Sequence, residues 1–117
     1  MSSIEPFIFN PVIRRKRTFE ETFEFTDLND LPLDLTGYVF CAQARKEQDV
    51  NTDLVFEFNL DVTDLAIGKI RIYLDEVETN DIEESTCYWD LLAEIGSTRE
   101  NWVEGKVEVR GSVSDVS

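Results

Sequence analysis

The chain contains no histidine in its 117 residues. That removes the usual proton acceptor near neutral pH, the Ser-His and Cys-His pairs, and the commonest metal ligand. Cysteine is scarce, with only Cys41 and Cys87, and no CxxC pair exists to bind zinc or exchange electrons. There are five glycines and three prolines, and none of the glycines builds a phosphate-cradling loop. No run approaches the roughly 20 apolar residues that span a bilayer. No early segment joins an apolar stretch to a small-residue cleavage site. These absences point to a protein made in a reducing cytoplasm, with no membrane, no cofactor and no catalytic residue expected.

Acid is what the chain has in abundance. Asp and Glu number 25 against 11 Lys and Arg, a net charge of -14. Against that background "VIRRKRTF" sets Arg14, Arg15, Lys16 and Arg17 in a row. Residues 1–17 carry four cations and one acid, Glu5, for +3, and the remaining hundred residues carry seven cations and 24 acids, for -17. Such a body repels nucleic acid and anionic membrane and stays soluble when crowded. No recognition helix, zinc finger or stacking motif accompanies the basic run, so no nucleic-acid partner is expected. The stretch "DLNDLPLD", residues 27–34, is rich in oxygen ligands. It lacks the glycine and closing glutamate of a calcium-binding EF-hand loop, and Asp and Asn in turns commonly bond their own backbone. No metal is expected.

From residue 18 onward apolar and polar side chains alternate with period two, the mark of half-buried strands. "TFEETFEF" sets Phe19, Phe23 and Phe25 on one face; "YVFCAQAR" does so with Tyr38, Phe40, Ala42 and Ala44. "LVFEFNLDV" reads as one strand with Leu54, Phe56, Phe58, Leu60 and Val62 inward. "KIRIYL", "TCYWDLLAEI" and "WVEGKVEVR" complete six strands, while "LDEVETNDIEES" holds at most a helical turn. Strands about ten residues apart, divided by polar and glycine-containing turns, predict an antiparallel sandwich or barrel. The same parity puts Cys87 in the core beside Trp89 and turns Cys41 to the opposite face, so two free thiols are expected and not a disulfide.

Residues 1–17 follow a different pattern, with Pro6 and Pro11 interrupting Ile4, Phe7, Ile8, Phe9, Val12 and Ile13. Prolines exclude a helix and disfavour a central strand. The segment reads either as an edge strand of its own domain or as an extended arm reaching a neighbour. The second is preferred, dividing the chain into an arm over 1–17 and a β-sandwich over 18–117. In that reading Phe7, Ile8 and Phe9 anchor a partner, while Arg14, Arg15, Lys16 and Arg17 steer it. Trp102, just past the turn "STREN", is expected to be partly exposed and to serve as a further surface contact.

Several stretches together resemble a recurrent small domain of tailed-phage virion proteins. That domain occurs at the N-termini of baseplate and tail-fibre components and as short stand-alone structural proteins. The likeness runs from about Val12 to Val116 through "RKRTFEETFEF", "PLDLTGY", "VFCAQARK", "GKIRIYL", "CYWDLLAEI" and "WVEGKVEVRGSVSDV". The pieces "LDLTGY" and "YWDLLAEI…EGKVEV" are the most specific. The resemblance implies an all-β, immunoglobulin-like antiparallel β-sandwich and a non-enzymatic role, with Leu35, Thr36, Gly37 and Asp90 keeping the fold. Fibre proteins continue into a shaft, whereas this chain stops soon after its last strand. The expectation is therefore a one-domain virion component assembled in the host cytoplasm. It would be a tail or baseplate adaptor, or a fibre-attachment component, joining other virion proteins or copies of itself, with a trimer expected. A capsid decoration protein is the alternative. Two further classes compete: an acidic nucleic-acid mimic, and a carbohydrate-binding module presenting Trp102 and Tyr88 on one face.

Overall fold

Alternating side chains drive most of residues 6–111, the part that the computed structural model describes, into strands packed as two sheets. In chain order these are β1 (Phe7–Ile8), β2 (Val12–Arg14), β3 (Phe19–Glu24), β4 (Val39–Arg45), β5 (Leu54–Glu57), β6 (Asn59–Asp61), β7 (Lys69–Leu74), β8 (Thr86–Ile95) and β9 (Thr98–Arg110). A 3-10 turn, Leu65–Ile67, precedes β7, and one short helix, α1 (Glu76–Asn80), lies between β7 and β8. The larger sheet runs β1-β9-β8-β4-β5, with β2 also on β9; the smaller runs β3-β7-β6. The protein is an all-β sandwich.

The core lies where the inward residues of the two sheets meet. Ile70, Ile72 and Leu74 of β7 and Phe23 of β3 face Ala42, Ala44, Cys87, Trp89, Leu91, Val103 and Val107. Trp89 is its centre, stacked on Phe23 and edge-on to Phe58 and Phe9. Alternation predicts this set because a strand buried on one face buries every second residue. Cys87 is buried and Cys41 half-buried, both free thiols.

The helical turn is held by its ends, since five residues are too few to be stable alone. Asp75 accepts from the Glu78 amide, and the Glu78 carboxylate accepts from the Asp75 amide, a reciprocal cap. Thr79 is fully buried and its hydroxyl donates to the carbonyl of Arg17 at 2.8 Å, tying the helix to the basic run.

Two expectations need correction. "LVFEFNLDV" is not one strand: β5 belongs to the larger sheet and β6 to the smaller. The break falls at Phe58, whose amide donates to the carbonyl of Ala42 while its ring sits in the core between Phe56 and Trp89. Alternation holds through the break at Phe56, Phe58 and Leu60, because the chain crosses between sheets while still facing the core. Leu54 and Val62 at the two ends, expected inward, stay exposed.

The second correction concerns residues 6–17, which do not stand apart from the sandwich. β1 and β2 lie parallel on β9, Phe7 opposite Val103 and Ile13 opposite Val109. Ile13 and Pro11 are fully buried. The pairing explains how two prolines fit a sheet: the segment is its edge, where a missing N–H costs least. A division at 17/18 therefore cuts through one packed unit. Residues 1–5 of the expected arm, and 112–117, lie outside the described residues.

Candidate interaction surface

The seven arm residues proposed as contacts separate into three groups. Phe7 and Ile8 stay well exposed on the edge, at 62% and 58% of their free surface. Phe9 does not: its ring packs edge-on against Phe23 and Trp89, and its carbonyl accepts from the Trp89 indole at 2.9 Å. This contact occurs because β9 carries Gly105 opposite Trp89, leaving the inner face of the strand bare. The segment Phe9–Pro11 dips into that gap. Asn10 accepts the Lys106 amide with its side chain at 2.8 Å, and Pro11 accepts the Glu108 amide at 3.0 Å. Every side-chain and backbone group thus recruited belongs to the same domain.

The basic run is a turn, closed by the Arg17 amide donating to the Arg14 carbonyl and by Lys16 at φ 65°. Arg15 turns back into the domain, its guanidinium donating to the carbonyls of Ile82 at 2.8 Å and Glu83 at 3.2 Å. It fastens the loop after α1 and is corrected from a steering to a structural residue. Arg14 points outward on β2 beside Arg110 of β9. Lys16 is exposed and Arg17 half-buried.

Trp102 is half-buried, and what is corrected is its role as a surface contact. Strand parity places it opposite Val103, facing out. A bulge intervenes: Leu91 pairs with Val103 but Leu92 with Asn101, so Trp102 is the extra residue. A bulge re-aims the side chain that it carries, and Trp102 turns into an aromatic cluster with Phe25, Tyr38 and Phe40, ring centroids 5.1–5.6 Å away. The pairing of Trp102 and Tyr88 required by a glycan-binding face is thereby lost, since Tyr88 lies on the outer face of the larger sheet.

Alternation and motif reading miss that outer face. There a hollow of about 610 Å³ is lined by Cys41, Gln43, Arg45, Tyr88, Asp90 and Glu104, among others. Asp90 and Glu104 stand directly opposite each other across β8 and β9. Burial, and then the Glu104 charge, hold the Asp90 carboxyl above its ordinary range, with Arg45 pulling the other way. Arg45 is occupied, donating to Gln43 Oε1 and the Thr52 carbonyl at 2.9 Å each. A second hollow of about 290 Å³ lies on the same face, between Val12, Thr86 and Lys106.

Among the described residues no three His, Cys, Asp or Glu side chains gather to hold a metal. The oxygen-rich loop uses its acids locally: Asp27 accepts from the amides of Asn29 and Leu31, and Asp34 from the amide of Thr36. At its tip Leu28 is completely exposed. No family model matches the chain, and no curated protein matches it either.

Proposed function

We propose that the chain is a non-enzymatic structural component of a phage particle, a tail or baseplate adaptor that joins other virion proteins. One observation carries the reading: the most specific pieces of the resemblance are the residues that build the joints of this sandwich. Leu35 of "LDLTGY" is buried and Gly37 takes a φ of 93°, a conformation that favours glycine. Trp89 of "YWDLLAEI" and Gly105 of "EGKVEV" together seat the first strand. That the pieces carrying the resemblance also build the fold supports a shared fold, and through it a shared structural task.

The strand wiring supports an immunoglobulin-like assignment. β3-β7-β6 on one sheet and β9-β8-β4-β5 on the other follow the neighbour order of that fold, with the first segment lying along the last strand. The exposed edge residues Phe7, Ile8 and Val12 and the loop tip Leu28 give the domain apolar points of attachment.

Quantitative mass spectrometry of intact particles tests the reading. A few copies per particle, retained with tails after heads are removed, is the expected result. Hundreds of copies retained with heads would make it a capsid decoration protein. Absence from purified particles would overturn the structural role.

A further inference from the structure

The outer face of the larger sheet carries two like-charged pairs of opposite sign. Asp90 and Glu104 face one another across β8 and β9, and Arg14 and Arg110 across β2 and β9. Like charges directly opposite on a ladder destabilise the sheet that holds them. Here the acidic pair is also drawn into a hollow, where repulsion is screened less than at an open surface. Relief inside the single domain is partial: Arg110 donates to Glu108 Oε2 at 2.9 Å, and Arg45, at the edge of the hollow, draws the Asp90 carboxyl back down. What remains of each charge excess is matched in sign by the other pair.

The spacing permits mutual relief. Glu104 and Arg110 are six positions apart on β9 with the same parity, roughly 20 Å along one face at the usual rise per residue. Two copies laid outer face to outer face, with β9 strands antiparallel, bring the Arg14–Arg110 pair of each over the Asp90–Glu104 hollow of the other. Such a contact is self-complementary and closes at two copies. The surface between the charged pairs is not purely polar: Val12, Tyr88 and Leu92 lie on it, with the smaller hollow at Val12.

We propose that the outer face of the larger sheet is a two-fold self-association surface in which Arg14 and Arg110 of one copy occupy the Asp90–Glu104 hollow of its mate. The occupant is a second copy because this chain itself supplies both halves of the charge pattern on one face. Asp90, held above the ordinary carboxyl range by burial and Glu104, loses that repulsion when a guanidinium arrives. The proposal deepens the assembly reading above and rests on it only in taking subunit contact to be the protein's task.

The test is a charge swap read by light scattering behind size exclusion, on the full chain at low salt. One variant carries Asp90→Lys and Glu104→Lys, the other Arg14→Glu and Arg110→Glu, each checked for its β-sheet circular dichroism. The wild type is expected to be a dimer that weakens with salt. Each variant alone loses association by more than about tenfold, and an equimolar mixture restores a dimer and nothing larger. Either variant dimerising alone, or a mixture of two folded variants that stays monomeric, overturns the proposal. So does a wild type that is monomeric at low salt, even if an arginine-rich peptide then binds at the hollow and changes Tyr88 fluorescence. A monomeric chain still found by mass spectrometry in purified particles would leave the virion reading standing while removing this surface from it.

Discussion

The indole N–H of Trp89 donates to the carbonyl oxygen of Phe9 at 2.9 Å across the bare backbone of Gly105, joining residues 80 positions apart. Three separate sequence features meet there: an aromatic in β8, a glycine in β9, and a proline-flanked segment that β-strand alternation does not describe. The result converts an apparent arm into the edge of the larger sheet.

Gly105 is therefore a position that has no room for a side chain. A Cβ at this position would run into the Phe9 carbonyl, which is backbone and cannot rotate away. Gly105→Ala is expected to cost about 1–3 kcal/mol or more, as overpacking does. Gly111→Ala meets open space and is expected to stay within about 0.5 kcal/mol of wild type. Urea unfolding midpoints check both; equal midpoints would mean that the segment does not rest on β9.

Arg14 and Arg15 are neighbours with different fates. Arg15→Ala removes the donors held by the Ile82 and Glu83 carbonyls and is expected to destabilise the domain by about 1–2 kcal/mol, since the site is partly exposed. Arg14→Ala, on the outer face, is expected to change monomer stability by less than about 0.5 kcal/mol. Denaturation of the two variants at dilute concentration separates these roles.

Asp90 gives a pH signature. Its folded-state carboxyl titrates above the unfolded value of 3.8, so between the two values the folded state binds the extra proton. Stability therefore rises as pH falls through that window, and the destabilising charge is fully present above it. Asp90→Asn is expected to be more stable than wild type at neutral pH and to lose that advantage on acidification toward pH 4. The difference between the two proteins' urea midpoints across pH isolates this one group.

The two thiols differ in access. Cys87 is fully buried and its pKa is pushed up to about 11 by burial first and Glu84 second, whereas Cys41 is only half-buried beside the hollow. Alkylation followed by mass spectrometry should modify Cys41 in the native protein and Cys87 only on unfolding. Native modification of Cys87 at a comparable rate would contradict the packing around Trp89.

Much of this fold is legible in the residues, for a physical reason. A strand buried on one face repeats its apolar side chains at every second position, so β4, β7, β8 and the second half of β9 announce themselves, together with Ile70, Ile72, Leu91 and Val107 in the core. What fails is whatever interrupts that period. Trp102 turns inward on a bulge, and Phe58 marks a crossing between sheets that leaves the alternation intact. Arg15 reads as part of a charge run, yet its partners are backbone carbonyls 67 or more positions away, which no local pattern encodes. The Asp90–Glu104 hollow was invisible for a related reason: each acid sits at a properly outward position, and only the register of β8 on β9 sets them face to face.

The most direct test of the account is amide hydrogen exchange at Phe9, Arg15 and Glu108. Their N–H groups bond the carbonyls of Glu104, Arg110 and Pro11 respectively, across the junction between the first segment and β9. If the segment is an integral edge of the sandwich, these amides exchange through the same opening that exposes β8 and β9, slowed by at least about a thousandfold over free peptide. Exchange close to the free-peptide rate at all three, with β8 still protected, would return residues 6–17 to the status of an undocked arm and contradict the account.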